Sequence, residues 1–306
     1  MALGSNQVTT TIAGNFIPEL WSDEVIGAYK SNLVVANLVT KLNHKGKKGD
    51  TIHIPVPSRG SASAKAANTQ VTLSAATNTT VDVSLNKHYE YSKLIEDIAE
   101  VQALASMRKF YTDDAGYALA KQVDSDLIDL GEGFQSGATT DGSYTTAYIG
   151  SGTTLWSGTN EADLDDDGLR ALILVLDNAD VPMDNRSLIV PPVCANDLLG
   201  INRFTEQAYI GSGDALKTGK IGQIYGVDVF ISSNCPTTTQ SGGGGSTDRV
   251  GCLFHKDAFA LAEQVGVRSQ TQYQQQYLGD LFTSDTIYGV GELRNTAGVA
   301  FVAPSS

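Results

Sequence analysis

Cysteine, proline, charge and long apolar runs are all scarce in this 306-residue chain. The three cysteines, Cys194, Cys235 and Cys252, stand far apart, with no CxxC and no Cys/His pair at zinc spacing. That pattern excludes a disulfide framework and a structural metal, and leaves buried thiols in a reducing compartment as the expectation. The longest apolar run, 171–176, is far short of the roughly 20 residues that cross a bilayer. The first residues carry neither a basic stretch nor an apolar core, so no secretory signal and a soluble protein are expected. Charged residues make up only 18%, against roughly 25% in ordinary soluble domains. Acids outnumber bases 34 to 21, for a net charge of −13. Such a surface argues against sequence-independent gripping of nucleic acid, which needs Lys and Arg to displace counterions from phosphates. It leaves open a place beside nucleic acid without gripping it.

What is present is a glycine-, serine- and threonine-rich folded chain. Its length suggests about two domains, or one with large excursions, and suffices to bury roughly 75% of the unfolded surface. The first 15 residues are polar and read as an arm. Apolar residues recur at helical spacing over 18–42, from Leu20 and Trp21 to Leu33 and Val34, behind Pro18 at a helix start. A turn-forming stretch at 45–50 ends the pattern. Ile52, Ile54 and Val56 then alternate with polar neighbours, as do Val81, Val83, Leu85, Tyr89 and Tyr91, the period of strands covered on one face. The small polar residues between them, 58–80, make a connection too long for a compact domain and too polar to build a core. It is expected to project and touch something else.

From Ser92 the period becomes helical, with Leu94, Ile98 and Val101, then Tyr111, Ala115, Leu119, Val123, Leu127 and Leu130, ended by Gly131 and Gly133. A main helix of about 20 residues spans about 30 Å, the length of a structural beam. Beyond it the pattern predicts a loop over 136–160, a helix over 164–177, a buried strand at 187–190, a short helix over 195–201, and strands at 227–231, 250–254 and 258–261. An exposed polar sheet is predicted over 267–277, and a glycine-punctuated strand region over 287–302. Helices and strands mix without regular βαβ alternation, so the class is α+β.

No motif carries chemistry. Asp163-Leu164-Asp165-Asp166-Asp167-Gly168 follows half of an EF-hand loop, but its twelfth position is Leu174 where a bidentate Glu belongs. Acids favoured at the start of a helix account for the run. The glycines at 211–219 lack the residues of a phosphate loop and read as a plain loop. His44, His53, His88 and His255 are scattered, without HExxH, and His53 and His88 fall on solvated strand faces. No GxSxG elbow exists. No cofactor or metal is expected, and no enzyme.

The order of elements is the informative feature: polar arm, amphipathic helix, projecting hairpin, beam helix, then a mixed sheet-and-helix domain. It resembles the major capsid protein of tailed bacteriophages, the Hong Kong-type capsid fold. A local pattern adds to the likeness: Leu188-Ile189-Val190-Pro191-Pro192, then Ala195-Asn196-Asp197-Leu198-Leu199, then Gly219-Lys220-Ile221-Gly222-Gln223-Ile224-Tyr225-Gly226-Val227-Asp228-Val229. The resemblance implies an N-terminal arm and helix over 1–43 and an extended hairpin loop over 44–91. A peripheral domain with the spine helix then covers 92–150 and 264–294, and a mixed axial domain covers 151–263 and 295–306. It further implies hexamers and pentamers of the chain in an icosahedral shell around double-stranded DNA, without sequence-specific binding. A separate scaffold protein and a portal are implied partners, with assembly in the host cytoplasm, residence in the virion capsid and no membrane. Two other readings are a bacterial nanocompartment of the same fold and a calcium-dependent surface or glycan-active enzyme.

Charge suggests where subunits meet. Between Thr51 and Val81 the only charged residues are Arg59 and Lys65, whereas 96–132 holds nine acids and three bases, a balance of −6. The expected inter-subunit contact therefore sets Arg59 and Lys65 of one copy against acids such as Asp113, Asp114 and Asp124 of the next.

Overall fold

The structure is a computed structural model that describes residues 34–46, 48–57, 60, 62–71, 73, 78–97, 107–131, 133–134, 147–152, 154–157, 162–201, 222–239 and 247–304. Its first half contains β1 (Thr40–Asn43), β2 (Thr51–Pro57), β3 (Asn78–Ser84), β4 (Lys87–Glu96), α1 (Met107–Gly131), β5 (Tyr148–Ile149) and α2 (Asp166–Asn178). There follow β6 (Arg186–Val190), α3 (Pro192–Gly200), β7 (Gln223–Ile224), β8 (Val227–Ile231), β9 (Thr237–Thr239), β10 (Thr247–His255), β11 (Phe259–Gln274), β12 (Gly279–Glu292) and β13 (Gly298–Pro304). Helices and strands mix as expected for an α+β protein.

The strands form three sheets. One has the order β1-β11-β12-β4, in which the long β11–β12 hairpin is flanked by β1, parallel, and β4, antiparallel. A second has the order β5-β13-β10-β6-β8-β7, with β9 also on β10. The third is the β2–β3 hairpin alone. The main core lies on the second sheet, where Leu169, Leu172 and Leu176 of α2 and Leu198 of α3 meet Leu188, Ile189 and Val190 of β6. The same core runs through Phe254, Phe259 and Phe134 to Leu127 and Ile128 of α1, so the long helix joins the two large sheets. The Phe259 ring stands 4.7 Å from Phe134 and 5.0 Å from Phe254, within the range of favourable ring pairs.

Local chemistry explains the helix ends. Asp165 caps α2 by accepting from the Gly168 amide at 2.7 Å, with Asp166 and Asp167 in the first turn. The acidic run is thus a helix start, and among the described residues no group of three or more potential ligands gathers to hold a metal. Pro192 opens α3 at its first turn, where a missing N–H costs nothing. Buried Arg186 donates to the Val181 and Pro182 carbonyls and pairs with Asp177 at 2.7 Å, tying the end of α2 to β6. All three thiols are buried and outside any disulfide, and burial pushes Cys194 and Cys235 up to about 12.

Three expectations are corrected. Leu94 does not open a helix: it lies in β4, which continues to Glu96 because the whole span 87–96 pairs with β12. The helical pattern over 18–42 does not reach its end, since Thr40–Asn43 is a strand whose four residues pair with 260–263 of β11, preceded by a short 3-10 turn at Val35–Asn37; residues 18–33, and the arm, lie outside the described residues. The predicted loop over 136–160 contains β5, which pairs with Phe301 and Val302, and the buried Trp156. The glycine loop at 211–219 lies outside the described residues.

The glycines of β12 have a cause as well. The base of the β2–β3 hairpin crosses β12, placing Val83 and Leu85 in a small core with Ala260 and Ala262. A Cβ on Gly289 would collide with the Ser84 carbonyl oxygen, and one on Gly291 would lie 2.8 Å from Val83 Cγ2. Gly116 of α1 has open space instead. Gly289→Ala should therefore destabilise the unassembled subunit by about 1–3 kcal/mol through overpacking. Gly116→Ala should stabilise it by about 0.5–1 kcal/mol through helix propensity. Urea unfolding of both variants checks the opposite signs.

Candidate assembly surfaces

The hairpin is the first such surface. β2 and β3 pair antiparallel from Thr51–Ser84 to Pro57–Asn78, with His53 directly opposite Asp82 and its ring nitrogen 2.6 Å from that carboxylate. Alternation buries Val83 and half-buries Ile52, Ile54 and Val81 at the base, while His53 points to solvent. Beyond the strands, every described residue from 60 to 73 is exposed. Two of them are large and apolar, Val71 at 62% and Leu73 at 91% exposure. Asn68 adopts the left-handed region (φ 60°) in a turn where Thr69 donates its hydroxyl to the Ala66 carbonyl at 2.7 Å. Lys65 is exposed in this stretch; Arg59 lies outside the described residues.

The second surface is the outer side of α1. Asp113 is exposed and Asp114 half-buried, accepting from the Tyr91 hydroxyl at 3.1 Å. Burial first, and then this carboxylate, raise the Tyr91 pKa. Asp124 is corrected: at 1% exposure it is no part of an outer face. Its Oδ1 accepts from the Val35 amide at 2.8 Å and its Oδ2 from the Asn234 side chain at 3.3 Å. Burial pushes its carboxyl up, against these donors, which pull it down. The acids that α1 and the preceding residues turn outward, among those described, are Glu96, Asp97, Asp113 and Asp129. Helical spacing carried the signal for Asp124, which stands three, four and seven residues before the inward-facing Leu127, Ile128 and Gly131.

Two polar clusters were missed altogether. Asp126 is buried and accepts from the Tyr288 hydroxyl at 2.5 Å and Gln122 Nε2 at 3.1 Å, with Lys87 Nζ at 3.1 Å. Burial, and then the Asp126 carboxylate, hold the Tyr288 hydroxyl far above the usual phenol range. On β12, Asp285 takes both Arg268 Nε at 2.7 Å and Arg268 Nη2 at 2.8 Å, with His88 Nε2 at 3.1 Å. The Arg268 hydrogen bonds hold its carboxyl below the usual range. Neither cluster is local in sequence, so no spacing announced it.

A long helix laid between two sheets, with a hairpin whose described residues beyond the strands are all exposed, suits a structural protein that meets other chains. The comparisons agree. Residues 35–295 match the family described as phage capsid protein, and the chain belongs to that family. The solved structure of Mycobacterium phage Che8 is 26% identical, with a TM-score of 0.75 over 94% of this chain and 97% of that one. The capsid structure of cyanophage P-SCSP1u gives 20% identity and a TM-score of 0.76 over 99% and 97%. The head structure of Helicobacter pylori bacteriophage KHP40 gives 12% and 0.75 over 97% and 99%. No curated protein matches the sequence. The chain is therefore a structural capsid protein with the Hong Kong-type fold, a subunit of a multimeric virion shell and not an enzyme.

Removing Asp126 tests how α1 is held. Asp126→Ala leaves the Tyr288 hydroxyl and the Lys87 ammonium without their shared acceptor. It should cost about 2–3 kcal/mol in urea unfolding of the unassembled subunit, against about 1 kcal/mol for Tyr288→Phe. Asp285 has a depressed folded pKa, so its contribution is full above the unfolded value of about 3.9 and is lost as pH falls through the lower folded value. Asp285→Asn should therefore weaken the subunit at neutral pH, with its stability converging on the parent's below about pH 4.

Proposed function

We propose that this subunit assembles with itself, through hexamers and pentamers, into an icosahedral shell that encloses double-stranded DNA without sequence-specific binding. Assembly takes place in the host cytoplasm, with a separate scaffold protein and a portal as partners. The observation that supports the reading is the exposed stretch beyond the hairpin strands: every described residue from 60 to 73 is exposed, with Val71 at 62% and Leu73 at 91%. The acidic balance supports a wall that lies beside DNA without adhering to it.

The division into an arm over 1–43, a hairpin loop over 44–91, a peripheral domain over 92–150 and 264–294, and an axial domain over 151–263 and 295–306 belongs to the same proposal. What supports it is an irregularity in β11, whose register on β12 shifts between Glu263 and Val265 and again before Arg268, beside the 263/264 boundary.

Within the shell, the hairpin tip of one copy docks over the outer face of α1 in the next, Arg59 and Lys65 meeting Asp113 and Asp114. Asp124 is no longer in this set. The test is the double variant Arg59→Glu, Lys65→Glu, followed by particle yield across a salt series. Each exposed pair contributes only about 0–1 kcal/mol, but the contact repeats in every subunit. Yield should fall most at low salt and partly recover at about 1 M salt, where the Debye length shortens to about 3 Å. Parent-like yield and salt dependence would overturn the docking arrangement.

A further inference from the structure

β1 covers only the first part of the outer edge of β11, pairing with 260–263, and among the described residues the last backbone–backbone hydrogen bond on that side runs from the Gly46 amide to the Gln264 carbonyl at 3.3 Å, beside one from Gln264 Nε2 to the Gly49 carbonyl at 3.1 Å. From Arg268 to Tyr273, β11 pairs with β12 on one side and, among the described residues, with nothing on the other. All residues from 267 to 273 are exposed. A row of free backbone donors and acceptors is a template for another strand, and folded proteins usually blunt such edges with charge, proline or shortness. The other edges here are blunted: β5 and β7 have two residues each, β2 carries Pro55 and Pro57, β4 carries Lys87 and Lys93, and β3 carries Asp82. The stretch Arg268-Ser269-Gln270-Thr271-Gln272-Tyr273-Gln274 has no proline and one charge, and that charge is held by Asp285 on the neighbouring strand.

We infer that this edge is an isologous contact: β11 of one subunit pairs antiparallel with β11 of a second copy, about a two-fold axis through Thr271. A two-fold axis perpendicular to an antiparallel pair sets one residue opposite itself, and the middle of the free segment is Thr271. The arrangement pairs Thr271 with Thr271, Gln270 with Gln272, Ser269 with Tyr273, and Arg268 with Gln274. Thr–Thr and amide pairs are favourable neighbours across strands. The two Arg268 side chains lie six residues apart along the ribbon, about 20 Å, beyond the Debye length of about 10 Å at 0.1 M salt. The occupant is a second copy because the edge is self-complementary and its first part already accepts a strand of the same chain. A closed shell also needs two-fold contacts between its rings, beside the head-to-tail contacts within them. The inference rests on the shell reading in that last respect only.

The test uses the full chain with Thr271→Cys. The three native thiols are buried, so the new one is the accessible thiol. Mild oxidation or a short thiol-to-thiol crosslinker, applied to particles and to unassembled subunits alike, should give covalent dimers as the main species in at least one of them. Gln274→Cys, whose two copies lie about 20 Å apart in this register, should give few. Thr271→Lys, which sets two ammonium groups face to face, should lower particle yield several-fold, and co-expression with Thr271→Glu should restore it. Absence of the Thr271→Cys dimer in both preparations overturns the inference, as does equal crosslinking at 274. Either result leaves the shell reading intact when particles still form, and that reading fails separately if the parent forms none.

Discussion

Two carboxylates on one helix hold the rest of the subunit in place. Asp124 and Asp126 are two residues apart on α1, which turns them roughly 200° from one another around its axis. Asp124 reaches the Val35 amide just before β1, and Asn234 beyond β8. Asp126 reaches Tyr288 on β12 and Lys87 on β4. The helix is therefore pinned on opposite sides, by Asp124 to the segments before β1 and after β8 and by Asp126 to β12 and β4. Apolar packing alone specifies that two layers meet but tolerates sliding between them. A buried carboxylate does not, because displacement leaves it and its donors unsatisfied at several kcal/mol. The rigid link between the sheets carries any force applied at the hairpin into the main core.

The hairpin depends on that link. Its base is packed where β12 is stripped of side chains at Gly289 and Gly291, and β12 is where Tyr288 meets α1. Four consecutive residues of one strand thus seat the hairpin and anchor the beam: Tyr288 meets α1, Gly289 and Gly291 admit the hairpin base, and Val290 packs against the main core. Beyond the seat, every described residue of the hairpin from 60 to 73 is exposed. Its direction is set at the base and its energy is settled elsewhere.

The parts of this design that obey a short period could be read from the sequence. Strand alternation located β2, most of β3 and the first half of β4, and the stripe from Tyr111 to Leu130 located α1 and its buried face. The acidic run at 163–168 was legible as a helix start because capping is local. Period alone failed where two elements share one pattern. Leu94 stands at helical distance from Ile98, yet β12 claims it as a strand through ten consecutive pairs, a partner almost two hundred residues away. Residues 40–43 were lost to β11 in the same way. Asp124 was counted by its charge and not by its position on the helix, and charge without position says nothing about which way a side chain faces. Asp126 with Tyr288, and Asp285 with Arg268 and His88, join residues that only the folded topology brings together.

Low charge, which first looked like a mere compositional trait, follows from what such a subunit must do. Every copy carries −13, so each added neighbour is repelled at long range, and salt screens that repulsion within about 10 Å. Short-range contacts then decide whether copies join, and each must be weak enough to let misplaced copies leave. Surfaces made of Thr, Gln, Ser and a few exposed apolar side chains meet that demand better than dense ion pairs, whose strength changes steeply with salt. The open segment of β11 is built this way, while the tip of the hairpin adds only the two charges of Arg59 and Lys65 to such residues. As proposed, the first closes on itself about a two-fold axis and the second meets a neighbour head to tail, and a closed shell of identical copies uses contacts of both kinds.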